Sequence, residues 1–253
     1  MHIALANQQS FRRRVPSKPT PGRAQLYTSG EYLKLNPEWH VEESSWKAKH
    51  ILRILRKNSL SPKFICEVGC GAGEVLKQLQ DRLDSSCRFV GYDISPDALE
   101  LCRPRANERL EFRLADILKE DSRRFDLLVV LDVIEHVEDY FTLLRGIKAR
   151  AEYKIFHIPL DLSAQTVLRR SGLTKVCDWY GHLHYFNKET ALHLLSELDY
   201  QVIDYCYTAR SIEQRTNELT RNLLKVPRRL LFAINQDLAA RILGGWSLMV
   251  LAK

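Results

Sequence analysis

Two hydrophobic periods alternate along this chain. Between Lys63 and Leu160, short apolar runs are followed by segments whose apolar residues recur every three or four positions. The runs FICEV (64–68), CRFVGYDI (87–94), LEFRLAD (110–116), FDLLVVLDV (125–133) and YKIFHIPL (153–160) predict strands. Helices are predicted over EVLKQLQDRL (74–83), SPDALELCR (95–103) and VEDYFTLLRGIKAR (137–150). Ser95 suits an N-cap, with Pro96 at the first helical position. Apolar strands alternating with helices imply a parallel sheet covered on both faces.

The two flanks read differently. Residues 1–30 are polar, basic and rich in Pro and Gly, the composition of a loose arm. Within 38–57, Trp46, Ile51, Leu52 and Leu55 fall on one helical face, and SLSP ends the pattern. After residue 187 come a helix (188–199), a strand (200–209) and a basic helical stretch (211–241), in which Pro227 is expected to break the helix. A final strand follows (244–253), and these last two strands are expected to pair as an antiparallel hairpin at one sheet edge.

Composition is that of a globular protein: 253 residues, 45% hydrophobic and 27% charged. No run of 18 apolar residues occurs, so no membrane-spanning helix is expected. The first residues have too short an apolar region for a secretory signal, and six scattered cysteines form no CxxC pair, so a cytoplasmic setting is expected. The net charge of +7 fits nucleic acid, an anionic membrane or simply solvated faces. No basic–aromatic platform stands out, so no stable nucleic-acid partner is expected.

The candidate chemistry begins at EVGCGAG. Gly69 and Gly71 fit the first two positions of the dinucleotide fingerprint, but the third falls on Glu74 and the glycine stands at Gly73. Glu67 would also repel a pyrophosphate. A ligand with a positive centre and no phosphate reverses that argument, and S-adenosylmethionine is such a ligand. Asp93, at the end of the second strand, either accepts from ribose hydroxyls or opens the Ser95 turn. Asp116 either accepts from an adenine amino group or caps a turn.

EVGCGAG (67–73), GYDIS (91–95), LADIL (114–118) and FDLLVVLDVIEHVED (125–139), in this order, resemble the class I S-adenosylmethionine-dependent methyltransferases. GHLHYFNKETALHLLSELDY (181–200) extends the similarity toward the type 11/23, ubiquinone-biosynthesis-like small-molecule enzymes. The resemblance implies an α/β, Rossmann-like three-layer sandwich. Its seven-stranded, mostly parallel sheet would have an antiparallel last strand, with an N-terminal helical segment and a helical insert before that strand. The expected division is an arm and helical lid at 1–58 and a methyltransferase domain at 59–253, with substrate-side insertions at 161–186 and 211–243. The resemblance also implies that Glu67, Gly69, Cys70, Gly71 and Gly73 hold the methionyl part. Asp93 with Ile94 would take the ribose, Asp116 with Ile117 the adenine, and Leu131 and Asp132 would flank the methyl-transfer site.

DVIEHVED places Asp132, Glu135 and His136 just past the fourth strand, and these are the candidate catalytic residues. Histidine's reference pKa is close to neutrality, so His136 suits a general base, unless Glu135 and His136 merely begin the next helix. Some relatives carry ExxEH and bind a divalent ion there; this chain has DxxEH, with His182 or His184 as further nitrogens, and no metal is assigned. The expected reaction is methyl transfer, at oxygen, to a small-molecule or glycan- or lipid-linked acceptor. An RNA methyltransferase and a non-catalytic binding protein are the alternatives. The tetrapeptides typical of base-amine methylation are absent after the fourth strand. Tyr32, Trp39, His40 and Trp46 are candidate lid residues, or simply dock their helix. Arg221, Lys225, Arg228 and Arg229 alternate with leucines, which suits weak peripheral membrane contact or an edge-covering helix. The acceptor and the oligomeric state are not legible.

Overall fold

The computed structural model describes residues 27–120, 123–169, 172–213 and 219–253. Most of the expected arm therefore lies outside the described residues. In chain order the elements are α1 (Glu31–Leu35), α2 (Val41–Lys57), β1 (Phe64–Val68), α3 (Glu74–Gln80), β2 (Arg88–Asp93), α4 (Pro96–Cys102) and β3 (Leu110–Leu114). There follow β4 (Phe125–Leu131), α5 (Tyr140–Lys148), β5 (Ala151–Pro159), α6 (Ala164–Leu168), α7 (Gly172–Tyr180) and α8 (Lys188–Glu197). The chain continues through β6 (Val202–Thr208), α9 (Arg210–Glu213), α10 (Leu219–Ile234), α11 (Gln236–Leu243) and β7 (Ser247–Ala252).

Seven strands form one sheet in the order β3-β2-β1-β4-β5-β7-β6. All neighbours run parallel except β7, which is antiparallel to both β5 and β6. Strand periodicity sorts the core. Leu127, Val129 and Leu131 of β4 face a layer built with Ile51, Leu52 and Leu55 of α2 and Leu76 and Leu79 of α3. Leu128 and Val130 face the opposite layer, with Leu144 and Ile147 of α5 and Leu195 of α8. The apolar face of α2 thus closes one side of the sheet, and burial of such side chains stabilises by about 1.5–3 kcal/mol each.

Local chemistry explains most element boundaries. The Ser95 hydroxyl accepts from Ala98 N–H and caps α4, as its sequence predicts. Asn187 and Thr190 form a reciprocal capping box at the start of α8. Helix α2 starts at Val41, later than the sequence suggests, because Trp39 and His40 both have left-handed backbones (φ 48° and 57°). The expected break at Pro227 does not occur: α10 runs through it from Leu219 to Ile234. Proline removes one helical donor, but its φ fits the helix, and Leu231 and Phe232 one turn on pack against the core. No helix among the described residues is long and apolar enough to cross a membrane.

Candidate functional site

The carboxyl ends of β1, β2, β4 and β5 open onto one cavity of about 1370 Å³, with residues of α2 and the loop before it forming another wall. Parallel sheets bind ligands at this edge.

The glycine loop between β1 and α3 is held by the neighbouring strand: Gly69 and Cys70 N–H both donate to the Tyr92 carbonyl, at 2.8 and 3.1 Å. Gly71 has φ 53°, and a Cβ there would lie 2.6 Å from Cδ1 of Trp39. Only glycine fits that combination of backbone and neighbour. Asp93 fastens the same loop, since its Oδ2 accepts from Gly71 N–H at 2.9 Å and its Oδ1 from Ser95 N–H at 2.8 Å. Burial pushes the Asp93 carboxyl up, and these backbone donors oppose it.

Glu67 ends β1 with 3% exposure, and its Oε2 has no hydrogen-bond partner. Burial raises its pKa to about 8; Lys47 pulls it down and Asp93 pushes it further up. A buried carboxyl with an open oxygen facing a glycine cradle is a place for a cationic group. The residues present therefore fit S-adenosylmethionine.

Asp132, just past β4, has a left-handed backbone (φ 52°). This turns its carboxylate between an imidazole and an ammonium: Oδ1 meets His157 Nδ1 at 2.6 Å and Oδ2 meets Lys47 Nζ at 2.6 Å. His157 Nε2 in turn lies 2.8 Å from Thr208 Oγ1 on β6. Burial alone would raise the Asp132 carboxyl, but His157 and Lys47 outweigh it and hold it well below the usual carboxylate range. Burial likewise opposes the Lys47 charge, and Asp132 with Glu43 overcomes it and raises that ammonium.

Beyond Asp132, the loop to α5 carries Glu135 and His136. The helix itself starts only at Tyr140, capped by Asp139, so the two residues stand in the loop and not in the helix. Glu135 is fully buried, and neither carboxylate oxygen has a hydrogen-bond partner. Burial pushes its pKa well up, and the Asp132 charge adds to it. His136 Nδ1 lies 3.3 Å from the Gly181 carbonyl and His182 Nδ1 lies 2.7 Å from Asp161 Oδ2. Both partners only accept, so each Nδ1 carries hydrogen. One ligand atom from each of Glu135, His136 and His182 lies within 4.8 Å of the others. His184 is used elsewhere, with its Nε2 3.0 Å from the Val137 carbonyl.

Of the sequence-predicted residues, Glu67, Gly69, Cys70, Gly71, Asp93, Ile94, Leu131, Asp132, Glu135 and His136 line this cavity. Gly73 does not; its Cβ position lies 2.4 Å from the Phe112 ring, so it serves packing. Asp116 and Ile117 do not line it either: Asp116 caps the short turn after β3 through Leu118 N–H at 3.0 Å, and Ile117 is in the core. Tyr32, Trp39, His40 and Trp46 do line it, alongside Lys47, which sequence reading missed. On an amphipathic helix Lys47 reads as one surface lysine among several; only its partners across the fold mark it.

A methyltransferase-domain family model matches residues 66–152. A ubiquinone biosynthesis O-methyltransferase from Actinobacillus pleuropneumoniae serotype 5b is 26% identical over 136 residues, 47% of this chain and 57% of that protein. The chain thus spans little more than half the length of that curated relative. Among solved structures, magnesium protoporphyrin IX methyltransferase from Synechocystis superposes over 91% of this chain and 96% of its own, with TM-score 0.58 and 14% identity. The N-methyltransferase NodS from Bradyrhizobium japonicum covers 92% and 98%, with TM-score 0.54 and 18% identity. Both were solved with S-adenosylhomocysteine bound. Residues 66–152 thus match a methyltransferase domain, and the seven-stranded sheet with its glycine cradle is the fold of these two S-adenosylhomocysteine-bound methyltransferases.

Proposed function

We propose that this protein transfers a methyl group to a hydroxyl of a small molecule or of a glycan- or lipid-linked acceptor. One observation carries the reading: the glycine cradle, the buried Glu67 carboxyl with its open oxygen, and the His136 imidazole line the same cavity. Its volume of about 1370 Å³ exceeds that of an ordinary small-ligand pocket, which leaves room for cofactor and acceptor together.

When bound, S-adenosylmethionine supplies a methyl carbon on a sulfonium, and that carbon–sulfur bond breaks with its electron pair passing to sulfur as the acceptor oxygen bonds the carbon. Glu67 offers its open carboxylate oxygen to the cationic end. Asp93, already holding Gly71 and Ser95, presents its remaining lone pairs to the ribose hydroxyls. Lys47, a largely buried cation that lines the cavity, suits the methionyl carboxylate. His136, at the cavity wall, takes the acceptor's hydroxyl proton. Positioning supplies most of such a displacement, and the base adds about 10²–10⁴-fold.

Glu135, His136 and His182 favour a second reading, in which a divalent ion assists. Two imidazoles beside a buried carboxyl whose oxygens have no hydrogen-bond partner suit a divalent ion, unless Glu135 simply holds a proton. If full activity survives exhaustive EDTA treatment, the metal has no part. The reading as a whole is tested by incubating the protein with methyl-labelled S-adenosylmethionine and cell-extract fractions. Label should enter a low-molecular-weight or lipid fraction with wild type and not with His136→Ala, while S-adenosylhomocysteine affinity stays unchanged. Equal labelling by that variant removes His136 as the base.

A further inference from the structure

Thirteen large apolar side chains are exposed among the described residues, and eight of them lie on four helices, α6, α7, α10 and α11. Val226, Leu230 and Ile234 recur every fourth residue and form one stripe along α10; Leu238 and Ile242 repeat the spacing on α11. Leu168, at the end of α6, is 85% exposed, and Ile234 is 82% exposed. Helix α6 packs beside α11, and α11 beside α10. These side chains are not the unpacked remainder of a core, because the opposite face of α10 is already used. Leu231 and Phe232 pack inward, and Arg228 lies 5.0 Å over the Trp246 ring while donating to the Leu243 carbonyl at 3.0 Å.

Charge is concentrated in the same place. Residues 219–243 hold five basic residues and one acid, and 164–180 hold three and one. Those two stretches therefore carry a net +6 of the chain's +7. Lys225 is buried, Arg228 is turned onto Trp246 and Arg241 pairs with Glu189, but Arg169, Lys175 and Arg229 are exposed. Aliphatic side chains with exposed cations match the interfacial zone of an anionic bilayer, where hydrocarbon takes the stripe and headgroups take the charge. Single-stranded nucleic acid would use the charge but gains nothing from Val, Leu and Ile, since bases stack on aromatic rings.

We propose that α6, α10 and α11 form a docking surface for an anionic lipid membrane. The same helical group reaches the cavity: Tyr180 ends α7 and lines it, and so does Trp246 beneath Arg228. Resting on the methyl-transfer reading, docking brings that cavity to an acceptor carrying a hydrocarbon chain.

The test is cosedimentation of the full chain with phosphatidylcholine vesicles, with and without phosphatidylglycerol. The protein should pellet with the anionic vesicles and be released by salt. Leu230→Asp with Ile234→Asp should weaken this at least tenfold while leaving S-adenosylhomocysteine affinity unchanged. Both positions are exposed, so the fold tolerates the change. Wild-type protein that stays in the supernatant, or a variant that pellets as well as wild type, overturns the proposal. Retention on single-stranded RNA with none on vesicles gives the surface to nucleic acid instead. None of these readouts requires methyl transfer, so their failure is distinct from failure of that activity.

Discussion

Lys47 Nζ lies 2.6 Å from Asp132 Oδ2, and this contact joins the N-terminal helix α2 to the tip of the central strand β4 at the cavity wall. Both groups are mostly shielded, and Asp132 keeps His157 as a second partner. Lys47→Met should cost about 2 kcal/mol, less than loss of a fully buried pair because some water reaches the carboxylate. The pH dependence has a definite sign. Asp132 has a folded pKa below its ordinary value of 3.8, so its contribution is complete above that value and disappears as pH falls further. Urea unfolding of wild type and variant should give a stability gap that narrows below about pH 4.

Glu67 has the opposite sign. Its pKa rises from 4.5 to about 8 on folding, so the folded state holds the extra proton between those values and stability falls as pH rises through that window. Glu67→Gln should gain on wild type there, by up to about 1.4 kcal/mol per pH unit. A cationic ligand should expel the proton. Calorimetry of S-adenosylhomocysteine binding at neutral pH, in two buffers of different ionisation enthalpy, should show proton release with wild type and none with Glu67→Gln. Identical heats in both buffers for wild type would sink the assignment.

Gly71 has two separable reasons for being glycine, its left-handed φ and the Trp39 ring against its Cβ position. Gly71→Ala should weaken S-adenosylhomocysteine by at least tenfold, about 1.4 kcal/mol. Adding Trp39→Ala should recover the steric share and leave a backbone residue of about 1 kcal/mol. No recovery in the double variant would mean that Trp39 can swing aside without cost.

Asp93→Ala should weaken the same ligand at least tenfold, about 1.4 kcal/mol. It also strands the Gly71 and Ser95 N–H groups. Asp93→Asn, which keeps one acceptor oxygen, should lie between wild type and alanine in both affinity and melting temperature. Affinity at the wild-type level in Asp93→Ala would remove Asp93 from the site.

The strands were legible because their apolar runs are continuous, and the cradle because three glycines and an acid sit within seven positions. Asp93 and His136 were legible for a similar local reason: Asp93 ends β2, and His136 stands five residues past β4. Lys47 was not, since its partners Asp132 and Glu67 come from elsewhere in the chain. The approach of His182 to Glu135 was equally hidden, as it depends on the 161–186 connection folding back over the loop after β4. Asp116 stood open between cap and ligand, and its side chain does bond Leu118 N–H two residues on. Pro227 misled because a proline's local cost says nothing of what the following turn buries.

Strand β7 lies between β5 and β6 although it follows both in the chain. Sheet assembly on this side therefore runs out of step with synthesis. When β6 is made, the edge it needs does not yet exist, and α8 and β6 must wait beside an unfinished sheet until residues 247–252 are available. Loss of that one strand would detach two, and with β6 would go Thr208, the last link in the chain from Lys47 through Asp132 and His157.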